Sequence, residues 1–191
     1  MKIKNLLLST LVLLLSANLA SAQTMAEPKV QFSKVVNKSA DELWKTVRKL
    51  DQVHKYSSAI AKVDWNGNMG VGGERICHTP DGKGYFKEKI VAYDESSRSF
   101  SYALLEGAPV KGMTNFMQVV DLGYGKCILV WWSNYDEFMK NPQMTEEQFQ
   151  AFMLSSLEEM TEKWLKIHKR QCLIMCISNS GLSDNSNRFF V

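Results

Sequence analysis

The run GGERICHTPDGKGYFKEKIVAYDESSRSFSYALLEG, from Gly72 to Gly107, constrains the fold more than any other part of this chain. Strand-forming segments are interrupted twice by turn-forming clusters. The first strand ends at Thr79-Pro80-Asp81-Gly82 and the second at Asp94-Glu95-Ser96-Ser97. Such clusters between alternating apolar segments mark tight reversals. The run therefore reads as two antiparallel hairpins laid end to end, which points to a curved sheet wrapped around a pocket.

The flanking elements extend that sheet. Val30–Val36 reads as a first strand. Ser39 with Glu42 three residues on forms a capping box, and Leu43, Val47 and Leu50 recur at helical spacing with Trp44 beside them. A second short helix is expected over Asp51–Tyr56. Strands are then expected at Ala59–Trp65, Val71–His78, Tyr85–Tyr93, Ser99–Leu105, Thr114–Leu122 and Lys126–Tyr135, each bounded by Gly, Pro, Asn or Asp. Thr145 with Gln148 caps a long final helix. Its stripe of Phe149, Phe152, Met153, Leu157, Met160, Trp164 and Leu165 opposes a face of Glu146, Glu147, Glu158, Glu159 and Lys163. One strand, two short helices, six strands and a long helix make an α+β fold, with the stripe buried on the concave side of a seven-stranded antiparallel sheet.

Both ends of the chain differ from this middle. Lys2 and Lys4 precede an apolar stretch from Leu6 to Leu15, and Ala20-Ser21-Ala22 forms a small-residue cleavage site before Gln23. The stretch is too short to span a bilayer, so residues 1–22 read as a cleavable signal peptide. The expected mature protein is periplasmic or secreted, with no stable membrane insertion after cleavage. Residues 23–170 then form one domain. Residues 171–191 read as a flexible tail, apolar from Cys172 to Ile177 and then rich in Ser and Asn.

The net charge of +3 includes the two lysines of the signal. No basic stripe argues for nucleic acid. Four cysteines in an exported chain raise the question of disulfides. Cys77 and Cys127 fall in expected strands and read as small apolar residues. Cys172 and Cys176 allow a local bridge, which the spacing neither requires nor excludes. His168 precedes Cys172 by one helical turn, but nothing completes a metal ligand set. His54, His78 and His168 are scattered and read as surface residues.

The order of elements resembles the helix-grip fold of the START and birch-pollen-allergen superfamily, in particular the polyketide cyclase/dehydrase and lipid-transport group. Ser39-Ala40-Asp41-Glu42-Leu43-Trp44 opens the first helix and Gly70-Val71-Gly72 leads the third strand. Arg75, Gly82, Glu88 and Asp94 follow, then Ser101 to Gly107, Asn115 and Trp132-Ser133. The likeness covers residues 30–168. Members commonly carry a Trp-Pro pair after the second helix, where this chain has Lys55-Tyr56. The resemblance implies that Glu88 and Tyr102 line a ligand cavity. It also implies that the loops Thr79–Gly84 and Ala108–Lys111 flank its mouth.

Alternation selects the face of each strand independently. Lys87 and Lys89 alternate with Phe86, Glu88 and Ile90, and lysines are seldom buried, so the latter three point inward. Folding the hairpin about Asp81-Gly82 sets Arg75 opposite Glu88 and Cys77 opposite Phe86, and opposite residues share a face. Phe100, Tyr102 and Leu104 are assigned inward because Ser99 and Ser101 occupy the other side. Phe116 and Gln118, then Val130 and Trp132, are expected to follow, with Phe152, Met153 and Met160 closing the cup from the helix. Tyr102, Phe116 and Trp132 have a competing reading as plain core, which aromatics at strand period usually are. An Arg75–Glu88 pair reads either as a cavity group or as a solvated cross-strand pair.

Catalytic signatures are sparse. The chain has no G-x-S-x-G, GxGxxG, P-loop or HExxH, and no cofactor is indicated. Glu88 as acid/base with Tyr102 would suit cyclase/dehydratase chemistry, although an adjacent Arg75 lowers a carboxylate's pKa and opposes that role. The leading expectation is a binding protein for a small hydrophobic or amphipathic ligand, of lipid or polycyclic type, with the enzyme as the alternative. A third reading, a partner protein with a vestigial pocket, would require an exposed apolar patch outside the cup. Oligomeric state is not legible.

Overall fold

The structure, a computed structural model, describes residues 27–140 and 142–180, with side chains through Lys166. Residues 1–26, which include the expected signal peptide, residues 181–191 and the side chains of Cys172 and Cys176 lie outside the described residues. Seven strands form one antiparallel sheet: β1 (Val30–Val36), β2 (Lys62–Asn66), β3 (Glu74–His78), β4 (Tyr85–Asp94), β5 (Ser99–Glu106), β7 (Thr114–Gly123) and β8 (Lys126–Asn134). Their order is β1-β8-β7-β5-β4-β3-β2. Two strands of two residues each, β6 (Val110–Lys111) and β9 (Glu137–Phe138), pair separately. They are too short to leave a period in the sequence.

The expected fold is present with its elements in place. Helix α1 (Ala40–Val47) starts at Ser39, whose side chain accepts from the Glu42 backbone N–H while Glu42 returns the bond, and it buries Leu43, Trp44 and Val47. The expected second helix tightens to a 3₁₀ turn at Val53–Lys55, a form suited to very short connectors. Helix α2 (Glu146–Ser180) lies along the concave face. It continues past residue 170, where the sequence suggested a tail; no Gly or Pro interrupts the chain between Pro142 and Gly181. No helix among the described residues is long and apolar enough to cross a membrane.

Register makes the cup. Arg75 pairs with Glu88 and Cys77 with Phe86, as the hairpin reading requires. Between β4 and β5 the register shifts twice, around Leu105 and Val91. Both residues turn out to solvent. Bulges bend a strand and re-aim its neighbours, which curves the sheet where the cavity forms. Gly107 ends β5 at φ +107°, and a Cβ there would sit 2.0 Å from the Tyr85 carbonyl oxygen, so only glycine fits. The core under the sheet gathers Trp44, Phe100, Met117, Leu129, Trp131, Leu157 and Trp164.

Candidate functional site

A cavity lies between the concave sheet, the 3₁₀ segment and α2, with about 120 Å³ open to the centres of water molecules. That is room for roughly ten waters, or roughly 300 Å³ of liquid, near the lower end of ligand sites. Its walls are mostly apolar: Phe86, Phe100, Leu104, Phe149 and Met153 among others. Phe152 is the exposed apolar residue of the lining.

One charged pair stands inside it. Arg75 Nε donates to Glu88 Oε2 at 2.5 Å, and Arg75 Nη1 donates to the Leu50 carbonyl at 2.8 Å. The guanidinium lies 5.0 Å from the Tyr102 ring centroid, within cation–π range. Cys77 Sγ sits 3.8 Å from the same Glu88 oxygen. The Arg75 and Glu88 side chains are 6% and 13% exposed, so this is a cavity pair and not the solvated cross-strand pair that the sequence left open.

These neighbours set the local electrostatics. Burial lowers the Arg75 guanidinium's pKa, but the Glu88 charge and the other neighbours outweigh it and hold the pKa above its usual value. Burial, reinforced by the Glu88 carboxylate, pushes the Cys77 thiol up to about 12. Burial, and again Glu88, raises Tyr102. A thiol and a phenol held protonated here are hydrogen-bonding and packing groups, not nucleophiles.

Nine of the sequence-predicted site residues line this cavity: Arg75, Cys77, Phe86, Glu88, Tyr102, Leu104, Phe152, Met153 and Met160. Phe116, Gln118 and Trp132 do not. Tyr102 pairs with Asn115 and Phe100 with Met117, so Phe116 and Gln118 fall on the outer face. On β8 the buried positions are Cys127, Leu129, Trp131 and Ser133, which places Val130 and Trp132 outside too. Phe116 and Trp132 stack there with centroids 5.2 Å apart, and Gln118 Nε2 donates to the Ser97 carbonyl at 3.2 Å.

The error has a physical source: both faces of β7 and β8 carry large apolar residues, so alternation alone cannot choose. On β7 and β8 the lining residues missed were Asn115, Met117 and Trp131. The usable signal lay in β1, where Trp132 pairs with Gln31 and Trp131 with Phe32. Of the two loops expected at the mouth, Ala108 lines the cavity, whereas Thr79–Gly84 do not. That turn is closed on itself by Gly84 N donating to Thr79 Oγ1 at 2.9 Å.

The fold and cavity now meet their relatives. The profile of the family described as polyketide cyclase / dehydrase and lipid transport matches residues 27–164. The chain belongs to that family. Among solved structures, XoxI from Bacillus cereus is similar with a TM-score of 0.62 at 12% identity, covering 72% of this chain and 93% of that one. Norcoclaurine synthase from Thalictrum flavum, in complex with dopamine and hydroxybenzaldehyde, is similar with a TM-score of 0.59 at 20% identity, covering 74% and 86%. A protein from Nitrosospira multiformis follows with a TM-score of 0.58 at 17% identity, covering 73% and 94%. At these identities the likeness establishes the helix-grip fold of this family member, and the fold alone. No curated protein matches the chain by sequence. Among the described residues no three His, Cys, Asp or Glu side chains gather in a group that could hold a metal ion.

Proposed function

We propose that this member of the polyketide cyclase/dehydrase and lipid-transport family is an exported protein that binds a small apolar or amphipathic molecule inside the cup. The observation that carries the reading is the cavity: an apolar enclosure whose one charged pair is already mutually compensated. A pocket of that kind draws its affinity from burial of the ligand's apolar surface. Its size suits one or two rings or a short acyl chain. Norcoclaurine synthase, of similar fold, holds two ring compounds of that scale.

Binding without turnover is favoured by the state of Glu88. Its Oε2 is occupied by Arg75, and the neighbouring thiol and phenol are held protonated. A general base must reach the proton it takes with a free lone pair, and Oε2 of this carboxylate is already engaged by a cation. Export is supported by Lys2 and Lys4, the apolar stretch Leu6–Leu15 and the Ala20-Ser21-Ala22 site.

The test is native mass spectrometry of the protein recovered from its host, compared with the mass after denaturation. A retained small mass is expected, absent from a Ser156→Trp variant whose new indole fills the cavity while the circular dichroism spectrum is kept. The denatured mass should begin at Gln23. No retained mass, and no uptake of an added apolar dye, would sink the binding reading.

A further inference from the structure

The apolar lining is interrupted at one place that the Arg75–Glu88 pair does not serve. Tyr102, Asn115 and Ser133 lie in one line across β5, β7 and β8. Asn115 is 1% exposed, lines the cavity, and its Oδ1 is buried without a hydrogen-bond partner. Trp131, which also lines the cavity, is diagonal to it across the β7–β8 pair, and its indole N–H is directed to the Tyr102 hydroxyl. Ser133 Oγ, opposite Asn115, is likewise unpartnered. Buried polar atoms are nearly always satisfied, and leaving one orphaned is costly. An acceptor orphaned on a residue of the cavity lining marks a place where a guest can supply the missing bond.

We infer that this floor selects a ligand carrying an uncharged hydroxyl group on an otherwise apolar ring system. The inference rests on the proposed binding function. A carboxamide oxygen only accepts. A hydroxyl can donate to Asn115 Oδ1. A carbonyl or a hydrocarbon cannot. An ionised head group would be buried with no opposite charge to meet it, because Arg75 and Glu88 already neutralise each other.

The probes are 2-naphthol, naphthalene and 2-naphthoate, measured by equilibrium dialysis against the full protein and against Asn115→Leu and Asn115→Ala. In the unaltered protein 2-naphthol binds and 2-naphthoate does not. Asn115→Leu weakens 2-naphthol by about tenfold, the scale of one buried hydrogen bond, while naphthalene is bound as well or better. Asn115→Ala shows the same selective loss in a roomier floor, so a folding defect in one variant does not decide the matter. Equal changes for 2-naphthol and naphthalene, or a raised melting temperature with unchanged selectivity, would show Asn115 to be core and overturn the inference while leaving the binding function standing. If neither probe binds the unaltered protein, both readings fall.

Discussion

Arg75 and Glu88 face each other across the β3–β4 hairpin, and Arg75 also reaches Leu50, which ties the strand to the segment following α1. A buried ion pair is a weak source of stability against an apolar replacement, but breaking it leaves one charge stranded. Glu88→Leu should therefore lower unfolding stability by about 3–5 kcal/mol. The double variant Arg75→Met/Glu88→Leu should recover most of that loss, since neither charge then remains. Urea denaturation of the three proteins measures the coupling. A single variant costing under about 1 kcal/mol would mean that the pair is effectively solvated.

The two adjacent tryptophans of β8 should separate cleanly. Trp131 is fully buried against the cavity, and Trp132 stacks on Phe116 outside. Trp131→Ala should cost about 3–5 kcal/mol, as for other large core truncations. Trp132→Ala should cost about 1 kcal/mol, mainly the aromatic pair, and leave retained ligand untouched. Equal losses of stability, or loss of ligand from Trp132→Ala alone, would contradict the assigned faces.

That contrast also shows what the sequence could reveal. The β3–β4–β5 floor was legible because Lys87, Lys89, Ser99 and Ser101 label one side as wet. The turn at Asp81-Gly82 fixes which residues oppose one another. On β7 and β8 no such label exists: Trp131 and Trp132 differ only in which strand-mate they meet. The seven-residue connection from Gly107 to Met113, which includes β6, leads into that register, and its geometry depends on Gly107 and Gly112 at positive φ. Asn115 stayed hidden for the same reason. A polar residue in a strand looks like a solvent-facing one until the register sets it opposite the inward Tyr102.

Cys77 should be almost inert. Burial, then the Glu88 charge, lifts its pKa from 9.0 to about 12. At pH 8 the thiolate fraction is then lower by roughly three orders of magnitude than in an unfolded chain, and the thiolate is the reacting species. Peptide-resolved iodoacetamide labelling should show Cys77 modified only after denaturation. The sign for stability follows: the group favours folding below its unfolded value and loses that contribution as pH rises toward about 12. Fast labelling of the folded protein at pH 8 would refute the buried placement.

The segment between the 3₁₀ turn and β2 is held to α2 by one carboxylate. Glu159 Oε2 accepts from Ser58 N at 3.0 Å and from Ser58 Oγ at 2.9 Å, and Lys163 sits 2.6 Å from Glu159 Oε1. Tyr56 meets Trp164 edge-on beside it, with centroids 5.9 Å apart. Because Ala59, Ile60 and Met160 line the cavity, this latch borders the space a ligand occupies. Hydrogen bonding from Lys163, then from Ser58, lowers the Glu159 pKa. A depressed carboxylate stabilises the folded latch above the unfolded glutamate value of about 4.3, and that contribution fades as pH falls through the lower folded value. Glu159→Ala should therefore speed amide hydrogen exchange at Ser58 and shorten ligand residence at pH 7, with little change in global stability because the pair is only half-buried and screened by solvent. In the unaltered protein, acidification through the folded Glu159 pKa should lower the protection factor at Ser58, the intrinsic exchange rate divided by the observed rate at the same pH. Protection unaltered by both the substitution and the acid would show that the segment is held by Tyr56 and Ile60 packing alone.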